Sequence, residues 1–180
     1  MIIIVKMRMP NTLVVVGEHI EEADFGYLVG DILEARAYPN IAVYHVKAKC
    51  HNCHHTNLLG DNGKNRIALQ EVYQEMLAKR PNLTITVHHG DSFRLEEWAE
   101  IYAHHEYHRL KHLHSAVHRG VVVKTLKPRQ LSLPEILEQT TIPYIGLEMR
   151  FEEMDNTPPY EKQARFAVRT IQKIRRVYMK

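Results

Sequence analysis

No stretch of this sequence is apolar for the roughly 20 residues a membrane-spanning helix needs, which argues against a membrane protein. The amino-terminal MIIIVKMRMP has no secretory h-region, because Ile2 to Val5 is the only apolar run before Lys6. A cytoplasmic protein is the expectation. Charge of one sign is not in large excess either. Lys and Arg number 24 against 21 Asp and Glu, a formal balance of +3, and the basic residues gather mainly in KIRR of the last helical pattern. A nucleic-acid partner calls for a larger basic face or a known module, and neither is present. Cysteine is scarce. The two thiols, Cys50 and Cys53, sit close together, and in an intracellular chain they argue against a structural disulfide. Internal repeats and interdomain linkers are lacking as well, so the 180 residues suit one compact domain, 1–180. What the chain has in quantity is histidine, 13 of them, within an otherwise ordinary globular composition of 44% hydrophobic and 25% charged residues.

Hydrophobic periodicity divides the chain into alternating strands and helices. Met1 to Val5 reads as a short edge strand and Leu13 to Val16 as a buried one. Ala23 to Ala35 reads as a helix with Phe25, Leu28, Val29, Ile32 and Leu33 on one face. Ile41 to Val46 is a strand, and the Asn-, His- and Gly-rich Lys47 to Lys64 a long loop. Arg66 to Ala78 is a helix with Ile67, Val72, Met76 and Leu77 inward. Leu83 to Val87 is a strand that runs into His88-His89-Gly90. Leu95 to His118 carries a long helical pattern, Val121 to Leu126 a strand, and Ser132 to Gln139 a short capped helix. Tyr144 to Met149 is a strand. Tyr160 to Tyr178 is a closing helix, with Ala164, Ala167, Val168, Ile171 and Ile174 at helical spacing. This alternation implies an α/β fold: a single three-layer domain with a largely parallel or mixed twisted sheet and helices on both faces.

In such folds reactive groups gather where the strands end. The apolar run in TLVVVGEHIEE stops at Gly17, and His19 and Glu22 follow before the first helix. His89 stands just past another strand and Glu148 lies within a third. Two imidazoles and a carboxylate form a known catalytic zinc set with a position left for water. A further carboxylate beside that water serves as general base.

GEHIEE resembles the Gly-x-His-x-x-Glu motif of zinc carboxypeptidases and of the related aspartoacylase and succinylglutamate desuccinylase enzymes. The resemblance continues in order. Asn65-Arg66 is similar to the pair with which that superfamily holds a substrate carboxylate. VHHGDS is similar to its strand end bearing the third zinc ligand, and LEMR to the strand bearing its catalytic glutamate. The resemblance thus covers about Leu13 to Arg150. It implies a Zn2+ cofactor held by His19, Glu22 and His89, with His89 preferred to His88 because His-Gly-Asp-Ser fits His-x-x-Ser/Thr. It implies Glu148 and Arg66 in catalysis, and Asn65 and Arg66 on the carboxylate, for which the guanidinium fork is suited. Arg94, Arg150 and Tyr144 are candidates for the carbonyl-polarising arginine and the substrate tyrosine. The implied reaction is hydrolysis of a peptide or N-acyl amide bond next to a carboxylate. The implied partner is a small molecule or peptide with a free carboxylate, and the assembly is left open.

The remaining histidines keep other readings open. Cys50, His51, Cys53, His54 and His55 can make a structural zinc site or a polar loop. His104, His108 and His112 recur every four residues, with His105, His114 and His118 nearby. On a helix they share one face, which can bind metal, respond to pH in a subunit contact, or be solvated. A non-enzymatic His/Cys-rich metal-binding protein is therefore an alternative, as is a degenerate relative that only binds a small acid.

Overall fold

A computed structural model describes residues 11–17, 23–47, 63–91, 99–104, 112–113, 121–125, 143–151 and 160–179. The elements run β1 (Thr12–Val16), α1 (Ala23–Ala35), β2 (Ile41–His45), α2 (Gly63–Lys79), β3 (Leu83–Asp91), β4 (Ala99–His104), β5 (Val121–Thr125), β6 (Tyr144–Phe151) and α3 (Glu161–Tyr178). The strands form one sheet in the order β2-β1-β3-β6-β4-β5. β2, β1, β3 and β6 are parallel. β4 joins β6 antiparallel, and β5 pairs parallel with β4. The α/β expectation of a largely parallel or mixed sheet is what the chain adopts. The expected strand at Met1 to Val5 and helix at Ser132 to Gln139 lie outside the described residues.

Parallel strands are covered on both faces, so they read as continuous apolar runs. TLVVV of β1 is such a run, and all five residues are buried. Successive side chains point to opposite faces. Val14, Val16, Ile85, Val87, Ile145, Leu147 and Met149 belong to one face, against which α1 and α3 pack in a single core. Leu113 joins that core. α3 contributes Ala164, Ala167, Val168, Ile171 and Ile174, all buried at the expected helical spacing. α1 contributes Phe25, Val29 and Leu33, with Leu28 and Ile32 partly buried beside them. The rings of Phe25 and Tyr160 meet edge to face, 6.2 Å between centroids, where the two helices begin. At the far end Arg175 Nη2 donates to the Pro39 carbonyl at 2.6 Å, and burial lowers the pKa of that guanidinium.

α2 lies on the opposite face. The buried Val72 and Met76 mark its inner stripe, and Glu71 Oε1 accepts hydrogen bonds from Tyr44 Oη at 2.5 Å and from the Lys47 amide at 2.7 Å. Leu77, expected inward, is 43% exposed. One residue past Met76 turns about 100° around a helix, away from the stripe that Val72 and Met76 share at four-residue spacing.

The larger correction is at Leu95 to His118. Ala99–His104 is a strand, not part of a helix. Its sequence AEIYAH alternates, and Ala99, Ile101 and Ala103 pair with Met149, Leu147 and Ile145. Antiparallel pairing along β6 rewards a period of two, and that pairing is invisible to a reading of local helical spacing. His104 therefore lies on a strand and His112 in a separate helical segment, so the two do not share one helical face.

Candidate active site

β2, β1, β3 and β6 end at the same edge of the sheet, and toward that edge stand His88, His89, Glu148 and Arg150. The rows can be counted across it. Val16 pairs with Val87, and Val87 with Leu147. One residue further on, His88 pairs with Glu148, and beyond that His89 pairs with Met149. Adjacent strands lie about 4.8 Å apart, so His88 and Glu148 are immediate neighbours. Both are half-buried, just past the fully buried Val87 and Leu147. On its other side Glu148 pairs with Glu100 of β4. β3 extends to Asp91 and β6 to Phe151, so His88, His89, Glu148 and Arg150 are all strand residues.

Two glycines set the end of β1 against α1. Gly17 has φ 72°, a left-handed conformation that costs a side-chain-bearing residue energy. Gly26 of α1 lies so close that a Cβ there would stand 2.6 Å from the Gly17 nitrogen. The helix thus rests directly on the strand end. The Val46 amide donates to the Val16 carbonyl at 3.0 Å, completing this anchor from β2. His19 and Glu22 themselves, like Arg94 and the Cys50–His55 group, lie outside the described residues.

α2 brings the fourth segment. Glu71 holds the carboxyl end of β2 through Tyr44 and the Lys47 amide, and α2 runs back from that end. Its first turn, with Asn65 and Arg66, precedes Glu71 by about 8 Å of helix axis and so lies at the same sheet edge. Burial raises the Tyr44 pKa above its ordinary value, and the hydrogen bond and charge of Glu71, then the charge of Glu75, add to this. The phenol is a fixed donor.

Tyr144 is elsewhere. It is 4% exposed at the amino end of β6, and its Oη lies 2.8 Å from Thr86 Oγ1. The observed contact is a buried hydroxyl pair that ties β6 to β3.

A cluster missed by the sequence reading lies at the end of β2, where His45 meets Asp31 and Glu34 of α1. The signal available was a glycine, Gly30, interrupting the apolar face of α1.

No family model and no curated protein matches this sequence. Solved structures do match in fold. A metallo-carboxypeptidase from Burkholderia cenocepacia superposes with a TM-score of 0.58 at 11% identity, over 97% of this chain and 58% of that one. The catalytic domain of CwlV, an N-acetylmuramoyl-L-alanine amidase from Bacillus (Paenibacillus) polymyxa var. colistinus, gives 0.54 at 15% identity over 95% and 98%. The CwlD amidase of Clostridioides difficile, solved in complex with the GerS lipoprotein, gives 0.54 at 12% identity over 93% and 100%. The chain shares their fold, and it matches the amidases over nearly their whole length while spanning little more than half of the carboxypeptidase.

Proposed function

We propose that this protein is a metal-dependent hydrolase of amide bonds, acting on a peptide or N-acyl amide beside a carboxylate. The observation that carries the reading is the row across the carboxyl edge: β1, β3 and β6 are adjacent, Glu148 is in register with His88, and His89, in register with Met149, stands one residue further out at an alternate-face position. Two residues of chain reach at most about 7 Å, so a ligand at His19 is tethered near the end of β1, itself next to β3. Two imidazoles and one carboxylate suit zinc as a donor set, with His19, Glu22 and His89 as the holders. When bound, zinc would supply a Lewis acid and lower the pKa of a bound water.

The chain's own residues do the rest. Glu148 takes the proton from the attacking water and delivers it to the departing nitrogen. The Arg66 fork, with Asn65 beside it in the first turn of α2, grips the substrate carboxylate, and the amino end of the helix favours that charge. Arg150, two residues beyond Glu148 on β6, stands on the strand that would face the scissile carbonyl. Tyr144 has a packing role in this reading. The fold neighbours carry amidase and carboxypeptidase in their names, which supports amide cleavage as the reaction class.

The test is hydrolysis of a panel of N-acyl amino acids and C-terminal peptides, with metal counted on the same samples. Glu148→Gln is expected to retain metal and to lose at least about 100-fold in kcat, the usual scale for a general base. His89→Ala is expected to lose the metal. Loss of metal on His88→Ala with retention on His89→Ala would move the third ligand by one residue. Full activity of Glu148→Gln on every responsive substrate would overturn the mechanism.

A further inference from the structure

Asp31 and Glu34 stand on adjacent turns of one face of α1, and His45 is the last residue of β2. One ligand atom from each lies within 4.8 Å of the other two. His45 Nε2 is 3.7 Å from Glu34 Oε2. The imidazole is held there rather than loose. A Cβ on Gly30 would come 2.7 Å from His45 Cε1 and 3.1 Å from Nε2, so the ring rests against bare helix backbone. Tyr27 flanks it, with 5.4 Å between ring centroids, and Tyr27 Oη donates to the Val46 carbonyl at 3.5 Å at the end of the same strand. A glycine seat and an aromatic neighbour thus present one imidazole nitrogen to two carboxylates.

We infer that Asp31, Glu34 and His45 form a second divalent transition-metal site that staples α1 to the edge strand β2. One imidazole and two carboxylates suit a borderline ion such as zinc, cobalt or manganese. Around such an ion, bonds of about 2.1 Å put ligand atoms about 3.4 Å apart. Asp31 and Glu34 are exposed and free to swing through the remaining ångström while His45 stays in its seat. The site is separate from the row at Glu148. β2 is three strand positions from β6, about 14 Å. His45 is in register with Val16, on the face of the core, whereas Glu148 alternates with that face. The bound ion would fix α1 at the helix that begins right after Glu22.

Zinc and cobalt titrations of the full chain, followed by calorimetry and by the 15N resonances of the His45 ring, test the inference. The expected result is one binding event that shifts the His45 Nε2 resonance. That event disappears in His45→Gln and weakens at least about tenfold in the exposed pair Asp31→Asn with Glu34→Gln, which leaves the core untouched. Gly30→Ala keeps all three ligands but displaces the ring, and it too weakens binding. His19→Ala leaves this event in place, which separates it from the site proposed for hydrolysis. An unmoved His45 resonance under saturating metal, or unchanged affinity and stoichiometry in the carboxamide pair, overturns the inference.

Discussion

Gly26→Ala adds one methyl group where α1 rests on the end of β1. The new Cβ would stand 2.6 Å from the Gly17 nitrogen, 3.1 Å from its Cα and 3.5 Å from the Val16 carbonyl carbon. All three are backbone atoms, so no side chain can turn aside. Relief to ordinary contact requires the helix to withdraw by nearly 1 Å. Such overpacking costs about 1–3 kcal/mol. Alanine returns up to about 1 kcal/mol through helix propensity and a less disordered unfolded chain. The net expectation is a loss of about 1–2 kcal/mol, which for a chain of this size lowers Tm by about 2–8 °C. Urea unfolding measures the first and a thermal melt the second. The same shift moves the point from which His19 and Glu22 depart, so metal affinity at the proposed catalytic site is expected to fall with stability. Gly30→Ala is the control, because its nearest contact is the imidazole of His45, a side chain that can move. A Gly26→Ala protein as stable as the parent would refute the close approach of α1 to the strand end.

Tyr144→Phe leaves the buried Thr86 hydroxyl without its partner at 2.8 Å and is expected to cost about 1–3 kcal/mol in urea unfolding; an unchanged midpoint would remove that bond from the structure. Thr84 Oγ1 is buried with no hydrogen-bond partner among the described residues, so Thr84→Val, of the same shape, is expected to raise stability by about 1 kcal/mol, and a loss would show that the hydroxyl is satisfied. The phenol of Tyr44 has its pKa raised in the folded protein by burial first, then by Glu71 and Glu75. Its contribution to stability is therefore complete below the unfolded value of about 10 and is lost as pH rises above it, because only the unfolded chain releases the proton there. Tyr44→Phe is expected to flatten the alkaline fall in stability, as followed by denaturant unfolding between pH 8 and about 11; an identical fall would exclude this phenol as its source.

How much of this was legible in the sequence depended on where each interaction is made. α1 and α3 bury faces written into their own spacing, Phe25, Val29 and Leu33 in one and Ala164 to Ile174 in the other, so both helices were readable. β1 was readable because a strand buried on both faces is apolar at every position. β4 was not, since its identity comes from β6, which is distant in sequence and enters the sheet between β3 and β4. The row joining His88 to Glu148 was equally hidden, because register is a property of two strands. The site at His45 was hidden for a related reason: Asp31 and Glu34 look like a solvated helix face until β2 folds back across Gly30.

β6 shows how one strand can serve stability and the proposed chemistry together. Its residues alternate between faces, and Tyr144 and Glu148 belong to the same one. Four residues separate them, about 13 Å along the strand. At the amino end the Tyr144 hydroxyl is buried against Thr86, and between them Ile145 and Leu147 fill the core. The carboxyl end differs on that face: Glu148 is half-buried, while Leu147 and Met149 on the other face are buried. A carboxylate can stand at that position because it keeps access to solvent there. The same limit applies to His88 one strand away. The polar groups of this row thus share one face of the sheet, while both neighbours of Glu148 in sequence are held by the core on the other. The general base proposed at Glu148 needs that combination, with neighbours anchored in the core and a side chain that can still reach water.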